Sequence, residues 1–238
     1  MTIRRLAPLV ILLCIALGGP RAALAGPWPR EVGTVFLATS FGFEKARGNR
    51  TGFAEAYGEM GWRGGLVPAL RLRLDSPLAQ EGRGDGAADV RLRWHPQALP
   101  WGLALGLEGG LLLDSGARRG DDTLGTTRFR LVAVHLGRGI GTPLGDGWMR
   151  LTLSSEDPVR SEGEARREIM GQVGLRGAGG WLGLVSLSGF REGGETTVKL
   201  RPAIGRSFGP DRDVVLESVV ERGGAGTRGL SLSLWQRF

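Results

Sequence analysis

Apolar and polar residues alternate along this sequence in segments of about ten residues, and this period of two is the strongest constraint on its fold. Leu70 and Leu72 alternate with Arg71 and Arg73, and residues 88–94 repeat the pattern. Successive side chains of a β-strand point to opposite faces, so each segment predicts a strand with one apolar and one polar face. Soluble β-sandwiches alternate as well, and the period alone therefore leaves two all-β architectures open.

Turn residues, chiefly Gly, Asp and Pro, separate the alternating segments. Twelve segments can be counted, at about 33–43, 51–62, 66–74, 87–94, 101–113, 126–137, 147–154, 167–176, 181–190, 196–206, 213–221 and 228–238. An even number is expected of a single-chain bacterial outer-membrane barrel. Connections after odd-numbered segments are mostly long and polar, as at 44–50 and 75–86, which predicts outer loops there. The sequence predicts a transmembrane antiparallel up-and-down β-barrel of about twelve strands, one domain over residues 26–238.

Residues 1–25 predict an export signal rather than part of the fold. Two arginines precede an apolar stretch from Leu6 to Gly18, and an Ala-Leu-Ala cleavage signature ends at Ala25. The stretch is shorter than the ~20 residues that a membrane-spanning helix needs. We therefore expect cleavage before Gly26 and delivery to the outer membrane of a Gram-negative bacterium.

Several chemistries are excluded by residue usage. Cys14 is the only cysteine and lies in the export segment, so no disulfide or thiolate site is expected in the mature domain. The formal charge of +7 falls to +4 without the three arginines of that segment. No basic run is present, and nucleic-acid binding is not expected. The carboxylate pairs Asp121–Asp122 and Asp211–Asp213 lack a third ligand at calcium-loop spacing, so neither a metal nor a cofactor is expected.

The tryptophans favour the membrane barrel over the sandwich. In the predicted topology they all fall at the periplasmic edge, where a ring can be buried while its N–H stays hydrated. Large aromatic residues of a soluble sandwich would lie mid-strand in the core. The predicted interfacial girdle consists of Trp62, Trp94, Trp101, Trp148, Trp181 and Trp235.

The last strand carries a resemblance to a known family. Leu230, Leu232, Leu234 and the terminal Phe238 resemble the assembly signal of bacterial outer-membrane β-barrel proteins, although Gln236 departs from it. The resemblance implies insertion by the barrel-assembly machinery. Residues 27–31 followed by 33–37 are also similar to small phenol-pathway outer-membrane channels.

The polar parity of the strands predicts a charged lumen, because an arginine facing lipid at mid-depth costs about 2–4 kcal/mol. The predicted lumen basic patch comprises Arg71, Arg73, Arg91, Arg93, Arg128, Arg130, Arg176 and Arg201, and the predicted lumen acids are Glu55, Glu59, Asp89 and Glu168. Four of the arginines, at 71, 73, 91 and 93, fall side by side on neighbouring strands. They outnumber Glu55, Glu59 and Asp89, and we expect some positive charge to remain there.

These features predict a narrow pore or passive transporter with a mild preference for small anionic solutes, since guanidinium forks bind carboxylate and phosphate. A lumen filled by ion pairs is the structural alternative. A non-conducting envelope protein whose outer loops bind lipopolysaccharide or another ligand is a second function, and a lipid-modifying enzyme is a distant third. His95, in a predicted turn, and His135, predicted to face outward, lack a serine and an acid at catalytic spacing, so no catalytic residue is expected. Outer-membrane lipid and lipopolysaccharide are the expected partners.

Overall fold

The computed structural model describes residues 30–78, 84–96, 99, 102–117, 124–159 and 164–238. The predicted export segment, residues 1–25, and the opening at 27–29 lie outside these residues. No helix in the described ranges is both long and apolar enough to cross a membrane.

Twelve strands follow one another along the chain, one for each predicted segment. They are β1 Val35–Ala46, β2 Asn49–Met60, β3 Leu66–Pro77, β4 Asp85–Trp94, β5 Leu103–Ala117, β6 Leu124–Thr142, β7 Gly145–Pro158, β8 Arg166–Gly177, β9 Trp181–Glu192, β10 Glu195–Ser207, β11 Arg212–Arg222 and β12 Arg228–Arg237. Short 3-10 turns at Arg63–Gly65 and Ala178–Gly180 join β2 to β3 and β8 to β9. The predicted strand count is confirmed.

Every strand pairs antiparallel with its neighbours in sequence, and β1 pairs with β12 to close the sheet into a barrel. At this seam Phe36 lies opposite Arg237. Val35 and Phe238 exchange two backbone hydrogen bonds of 3.0 and 2.9 Å. A closed sheet gives every strand a partner on both sides, which is the condition for backbone to cross a bilayer as strands. The predicted up-and-down barrel is confirmed.

Several connections are shorter than the alternation suggests. The predicted long polar connection at 44–50 is wrong, because Arg47 and Gly48 alone join β1 to β2, with φ angles of 49° and 89°. Such left-handed pairs form the tight turns that match strand twist. Strands β6 and β7 are likewise joined by residues 143–144 alone. The strands extend beyond the predicted apolar segments. In these extensions glycine, serine and charged residues continue the backbone hydrogen bonding, although apolar and polar residues no longer alternate.

The outside of the barrel is apolar. Large hydrophobic side chains at alternate positions are exposed, among them Phe41, Leu72, Val90, Leu111, Val132, Leu153, Val185, Leu200, Leu216 and Leu232. A contiguous apolar surface of this extent is typical of a protein that contacts lipid. The opposite parity faces a lumen that carries the polar side chains. One small apolar cluster, formed by Trp148, Leu182, Leu184 and Val215, packs inside it.

Candidate functional site: the barrel lumen

The lumen encloses a cavity of about 830 Å³ lined by side chains from all twelve strands. Four predicted lumen arginines, Arg71, Arg73, Arg91 and Arg93, line it from β3 and β4. These two strands pair so that Arg71 lies opposite Asp89. The predicted clustering of the four guanidiniums on one wall is therefore present in the structure.

Asp89 bridges two of these arginines. Arg71 Nε donates to Asp89 Oδ2 and Arg91 Nε to Asp89 Oδ1, each at 2.5 Å. The carboxylate is only 2% exposed. A buried carboxylate that accepts from two guanidiniums forms strong, charge-assisted hydrogen bonds. Asp89 therefore ties β3 to β4 across the lumen wall.

Glu108 of β5 continues the network. Arg93 Nε donates to Glu108 Oε2 at 2.8 Å, and Arg91 Nη1 donates to Oε1 at 3.3 Å. His135 Nε2 lies 3.5 Å from Oε2 of the same carboxylate. Glu108 is 4% exposed. Three groups, two on β4 and one on β6, thus converge on one buried carboxylate of β5.

Glu59 of β2 ends the network near the turn that joins β2 to β3. Arg30, which precedes β1, donates its Nε to Glu59 Oε1 at 2.5 Å, and Tyr57 donates its hydroxyl to Oε2 at 2.6 Å. Arg93 Nη1 reaches the same Oε2 at 3.5 Å. Arg30 therefore anchors the start of the described chain to the inside of the barrel.

The expected excess of positive charge in this patch is wrong. Arg73 is held by Asp75, with Nη2 donating to Oδ1 at 2.8 Å, and Glu44 Oε2 lies 3.4 Å from the same nitrogen. Each of the four arginines therefore contacts a carboxylate. The sequence interpretation counted Glu55, Glu59 and Asp89 but did not assign Glu44, Asp75 and Glu108 to the patch. Glu55 lines the cavity on β2, opposite Arg73.

Arg150 of β7 differs from the four paired arginines. It lines the lumen opposite Gln172, and its Nε is buried with no hydrogen-bond partner among the described residues. No ion pair joins it to a carboxylate in that part of the chain. Buried guanidinium groups are normally paired, because leaving one unpaired is costly. Arg150 therefore lines the lumen without a direct ion pair among the described residues.

The remaining predicted lumen residues divide into paired and solvent-facing groups. Arg176 forms a fork with Asp213, donating from Nη1 and Nη2 at 2.9 and 2.8 Å, and Arg237 Nη2 donates to the same carboxylate at 3.1 Å. Asp213 is fully buried. Arg201 and Glu168 line the cavity from β10 and β8.

Arg128 and Arg130 do not face the lumen, and this part of the sequence prediction is wrong. Both side chains are exposed on β6 and share the parity of the outward-facing Val132 and Val134. Leu131, Ala133 and His135 take the inward positions instead. The two arginines lie closer to the β5–β6 connection than the outward-facing Val132 and Val134 do.

The predicted tryptophan girdle is only partly outward-facing. Trp62, Trp94 and Trp181 are exposed on the outer surface, at 54%, 45% and 52%. Trp148, 3% exposed, points into the lumen, where Trp235 packs against its cluster. A Cβ on Gly174 would lie 2.0 Å from the Trp148 ring, so glycine is required opposite it.

Parity contradicts the girdle assignment of these two tryptophans. Trp148 shares the parity of Arg150, and Trp235 has the parity opposite to Leu232 and Leu234. Both inward orientations could therefore have been predicted from the sequence. Trp101 lies outside the described residues.

Both histidines are structural neighbours of the network. His135 faces inward rather than outward as predicted, and its Nδ1 lies 3.0 Å from Thr152 Oγ1. Hydroxyl, imidazole and carboxylate thus follow one another from Thr152 to Glu108, but Glu108 is also held by two arginines, and Thr152 is buried. His95 follows β4 in the turn, with Nδ1 3.2 Å from the Leu105 carbonyl. Burial, helped by Arg93, lowers the pKa of His95 to about 4.

The terminal strand matches its predicted pattern of faces. Leu230, Leu232 and Leu234 are outward-facing and exposed, and Phe238 is 69% exposed at the end of the seam. Their role in assembly remains a prediction. Among the described residues no three potential ligands cluster as a metal site would require.

Comparison with known proteins finds similarity in structure and none in sequence. No protein-family model and no curated protein matches the sequence. The KdgM porin aligns with a TM-score of 0.58 at 6% identity, over 84% of this chain and 99% of the porin. A second structure of it, in complex with disordered oligogalacturonate, aligns with a TM-score of 0.57 at 8% identity, over the same shares.

Two further structures are similar in fold. The COG4313 outer membrane channel from Pseudomonas putida F1 aligns with a TM-score of 0.57 at 12% identity, over 91% of this chain and 100% of the channel. The beta domain of the Bordetella autotransporter BrkA gives 0.52 at 12% identity, over 87% and 99%. The chain therefore has the fold of bacterial outer-membrane β-barrels. The more specific likeness to phenol-pathway channels remains a prediction.

Proposed function

We propose that this protein is a passive pore of the outer membrane that conducts small solutes and mildly prefers anions. The apolar exterior and the charged interior with its cavity support a pore. A soluble barrel has the opposite arrangement, with a polar exterior and an apolar core. The fold is shared with proteins described as porins and channels. One of these was solved with oligogalacturonate, an acidic sugar chain.

The observation that carries the anion preference is Arg150. The cluster of arginines on β3 and β4 is paired, so its charges are compensated within the protein. Arg150 has no such carboxylate, and the lumen-facing Arg201 forms no ion pair among the described residues. A guanidinium that lacks a protein partner can bind a passing carboxylate or phosphate bidentately. Selectivity is therefore assigned to these two side chains rather than to the larger cluster.

Single-channel conductance of the refolded protein in a planar bilayer tests the proposal. We expect discrete conductance steps and, in a salt gradient, a reversal potential displaced toward the anion. Arg150→Gln should move that potential toward the cation while conductance persists. Arg206→Gln removes the same charge from the outer surface, where Arg206 lies over the Trp181 ring, and should leave the potential unchanged.

Two results would contradict parts of the proposal. A wild-type barrel that inserts but conducts nothing contradicts the pore. A conducting barrel whose ion preference is the same with and without Arg150 contradicts the anion assignment and leaves the pore standing. Location is tested separately, since the protein should be recovered with outer membranes and migrate on gels in a heat-dependent way.

A further inference from the structure

Exposed cations lie on the outside of the barrel at one end, on seven of its twelve strands. Eight exposed basic residues lie on outward-facing positions near the connections that follow odd-numbered strands, namely Lys45, Arg50, Arg128, Arg130, Arg167, Arg191, Arg222 and Arg228. We refer to these eight as the basic collar. Each lies within four residues of an outward-facing apolar side chain on its own strand. The collar therefore begins where the apolar surface ends.

Almost no acid accompanies the collar. Along the outward-facing positions of the twelve strands, within the described residues, Asp157 is the one carboxylate. Arg167 Nη2 lies 3.4 Å from it. The lumen, by contrast, pairs most of its arginines with acids. The outer surface is thus basic at this end, with Asp157 as the one outward-facing carboxylate of the described strands to compensate it.

The strand register places like charges directly opposite one another. Arg228 faces Lys45 across the β1–β12 seam, Lys45 faces Arg50 across the first hairpin, and Arg167 faces Arg191. Residues paired in this way have Cβ atoms about 5 Å apart, and like charges at that spacing destabilise a sheet. The arrangement costs folding energy unless an external anion lies between the side chains.

We infer that the basic collar binds the phosphate groups of the lipid that forms the outer leaflet of the outer membrane, a phosphorylated glycolipid. Lipid head groups lie immediately beyond the apolar band of a barrel, which is the level of the collar. Guanidinium forks match phosphate oxygens, and each basic side chain near an anionic lipid surface contributes about 1 kcal/mol. The collar's distribution around the circumference fits a continuous lipid surface rather than a single soluble ligand.

The test measures binding of purified lipopolysaccharide to the full-length mature barrel refolded in an uncharged detergent. Lys45→Gln/Arg228→Gln removes two facing cations at the seam. We expect apparent affinity to fall roughly ten- to thirtyfold, the equivalent of two lost contacts at about 1 kcal/mol each. Arg206→Gln/Arg212→Gln removes two outward-facing cations at the opposite end and should change affinity less than twofold.

Two further arms identify the source of the anion. Lipopolysaccharide stripped of its phosphates should bind the wild type at least as weakly as intact lipopolysaccharide binds the seam variant, which retains six of the eight cations. Inorganic phosphate at millimolar concentration should not displace the lipid. Equal binding of the stripped lipid would overturn phosphate recognition, and displacement by inorganic phosphate would replace a lipid site with a free-anion site.

Stability provides a check that does not depend on lipid. Without lipopolysaccharide, the seam variant should be at least as stable as the wild type, because it loses a repulsive pair. If the seam variant does not refold, Arg167→Gln/Arg191→Gln tests the same inference at the second opposed pair. Wild-type affinity in a folded variant of either pair contradicts the inference.

Discussion

The two sides of the lumen are built from different side chains. The charged wall, the inward face of β2 to β5, carries Glu55, Glu59, Arg71, Arg73, Asp89, Arg91, Arg93 and Glu108. The serine wall, the inward face of β9 to β12, carries the short side chains Ser186, Ser188, Ala203, Val215, Ser231 and Ser233. Its inward charges are Glu192, Lys199, Arg201, Asp213, Glu217, Glu221 and Arg237, and Lys199 binds Glu221 at 3.1 Å.

The side chains of the two walls have different roles in the barrel. Long side chains of the charged wall bond to one another across strands, so they hold the strands together and fill space. Short side chains of the serine wall leave room beside them. In the proposed pore a solute would have hydroxyl groups on one side and a largely paired ionic network on the other. Arg150, which has no direct ion pair, lies outside that network.

The largest loss of unfolding free energy is expected from a substitution at the centre of the charged wall. Glu108→Gln removes a buried charge that compensates Arg91 and Arg93, and should lower the free energy of unfolding by about 3–5 kcal/mol. Urea unfolding of the refolded barrel measures this. Ser186→Ala on the serine wall is the control and should cost about 1 kcal/mol. Equal losses in both variants would remove the distinction between the walls.

Two lumen arginines with different partners sharpen the comparison. Arg91→Gln should cost about 2–3 kcal/mol, because Asp89 and Glu108 each lose a charged donor. Arg201→Gln should cost within about 0.5 kcal/mol. Ion selectivity in a bilayer should shift toward cations for Arg201→Gln, and also for Arg91→Gln, because that change leaves Asp89 and Glu108 less compensated. A selectivity change confined to Arg91→Gln would show that the paired network, not the unpaired cations, controls permeation.

Lowering the pH should decrease the free energy of unfolding through His95, which lies in the turn after β4. Its pKa of about 4 in the folded protein lies below the usual value of 6.5, so the unfolded chain binds the proton more readily. Stability from this residue is complete above about pH 6.5 and is lost as pH falls toward 4, by on the order of 1–2 kcal/mol. His95→Gln should be less sensitive over this window in urea titrations at pH 7 and pH 4.5. An unchanged pH dependence in that variant would assign the acid sensitivity to other groups.

The smallest loss of unfolding free energy is expected from one pair of hydroxyl groups, which joins the serine wall to β1. Ser40 and Ser233 lie 2.8 Å apart across the β1–β12 seam. Ser40→Ala and Ser233→Ala should each cost about 1 kcal/mol, and the double variant little more than either. Unfolding free energies of the four proteins complete the cycle. Fully additive losses would mean that the two hydroxyls do not interact.

The strands were predictable because alternation is a local property of the sequence. Strand β3 alternates leucine with arginine, so its phase is unambiguous. Strand β6 is apolar at both parities from 131 to 134, and its phase was assigned from Arg128 and Arg130. Those arginines precede the apolar run and face outward, so their charge did not report which parity of the strand faces the lumen.

The ion pairs were less predictable than the faces. Register decides which carboxylate meets which arginine, and Arg93 faces Glu108 rather than being compensated by Glu59 alone. Strand pairing follows from chain order, but an offset of two residues changes every partner. The position of Arg150 in the lumen was predictable from parity, whereas its lack of a carboxylate depends on the arrangement of all its neighbours.

The seam between β1 and β12 has a consequence for folding kinetics. It joins the first described strand to the last, so its contacts have the largest loop-closure cost in the molecule and should form after the hairpins. Until closure, the chain presents two unpaired strand edges with apolar outer faces, which are templates for aggregation. The seam's hydrogen bonds and the opposed cations Lys45 and Arg228 therefore come together in the last step of folding. At that step the open sheet either closes or pairs with another chain.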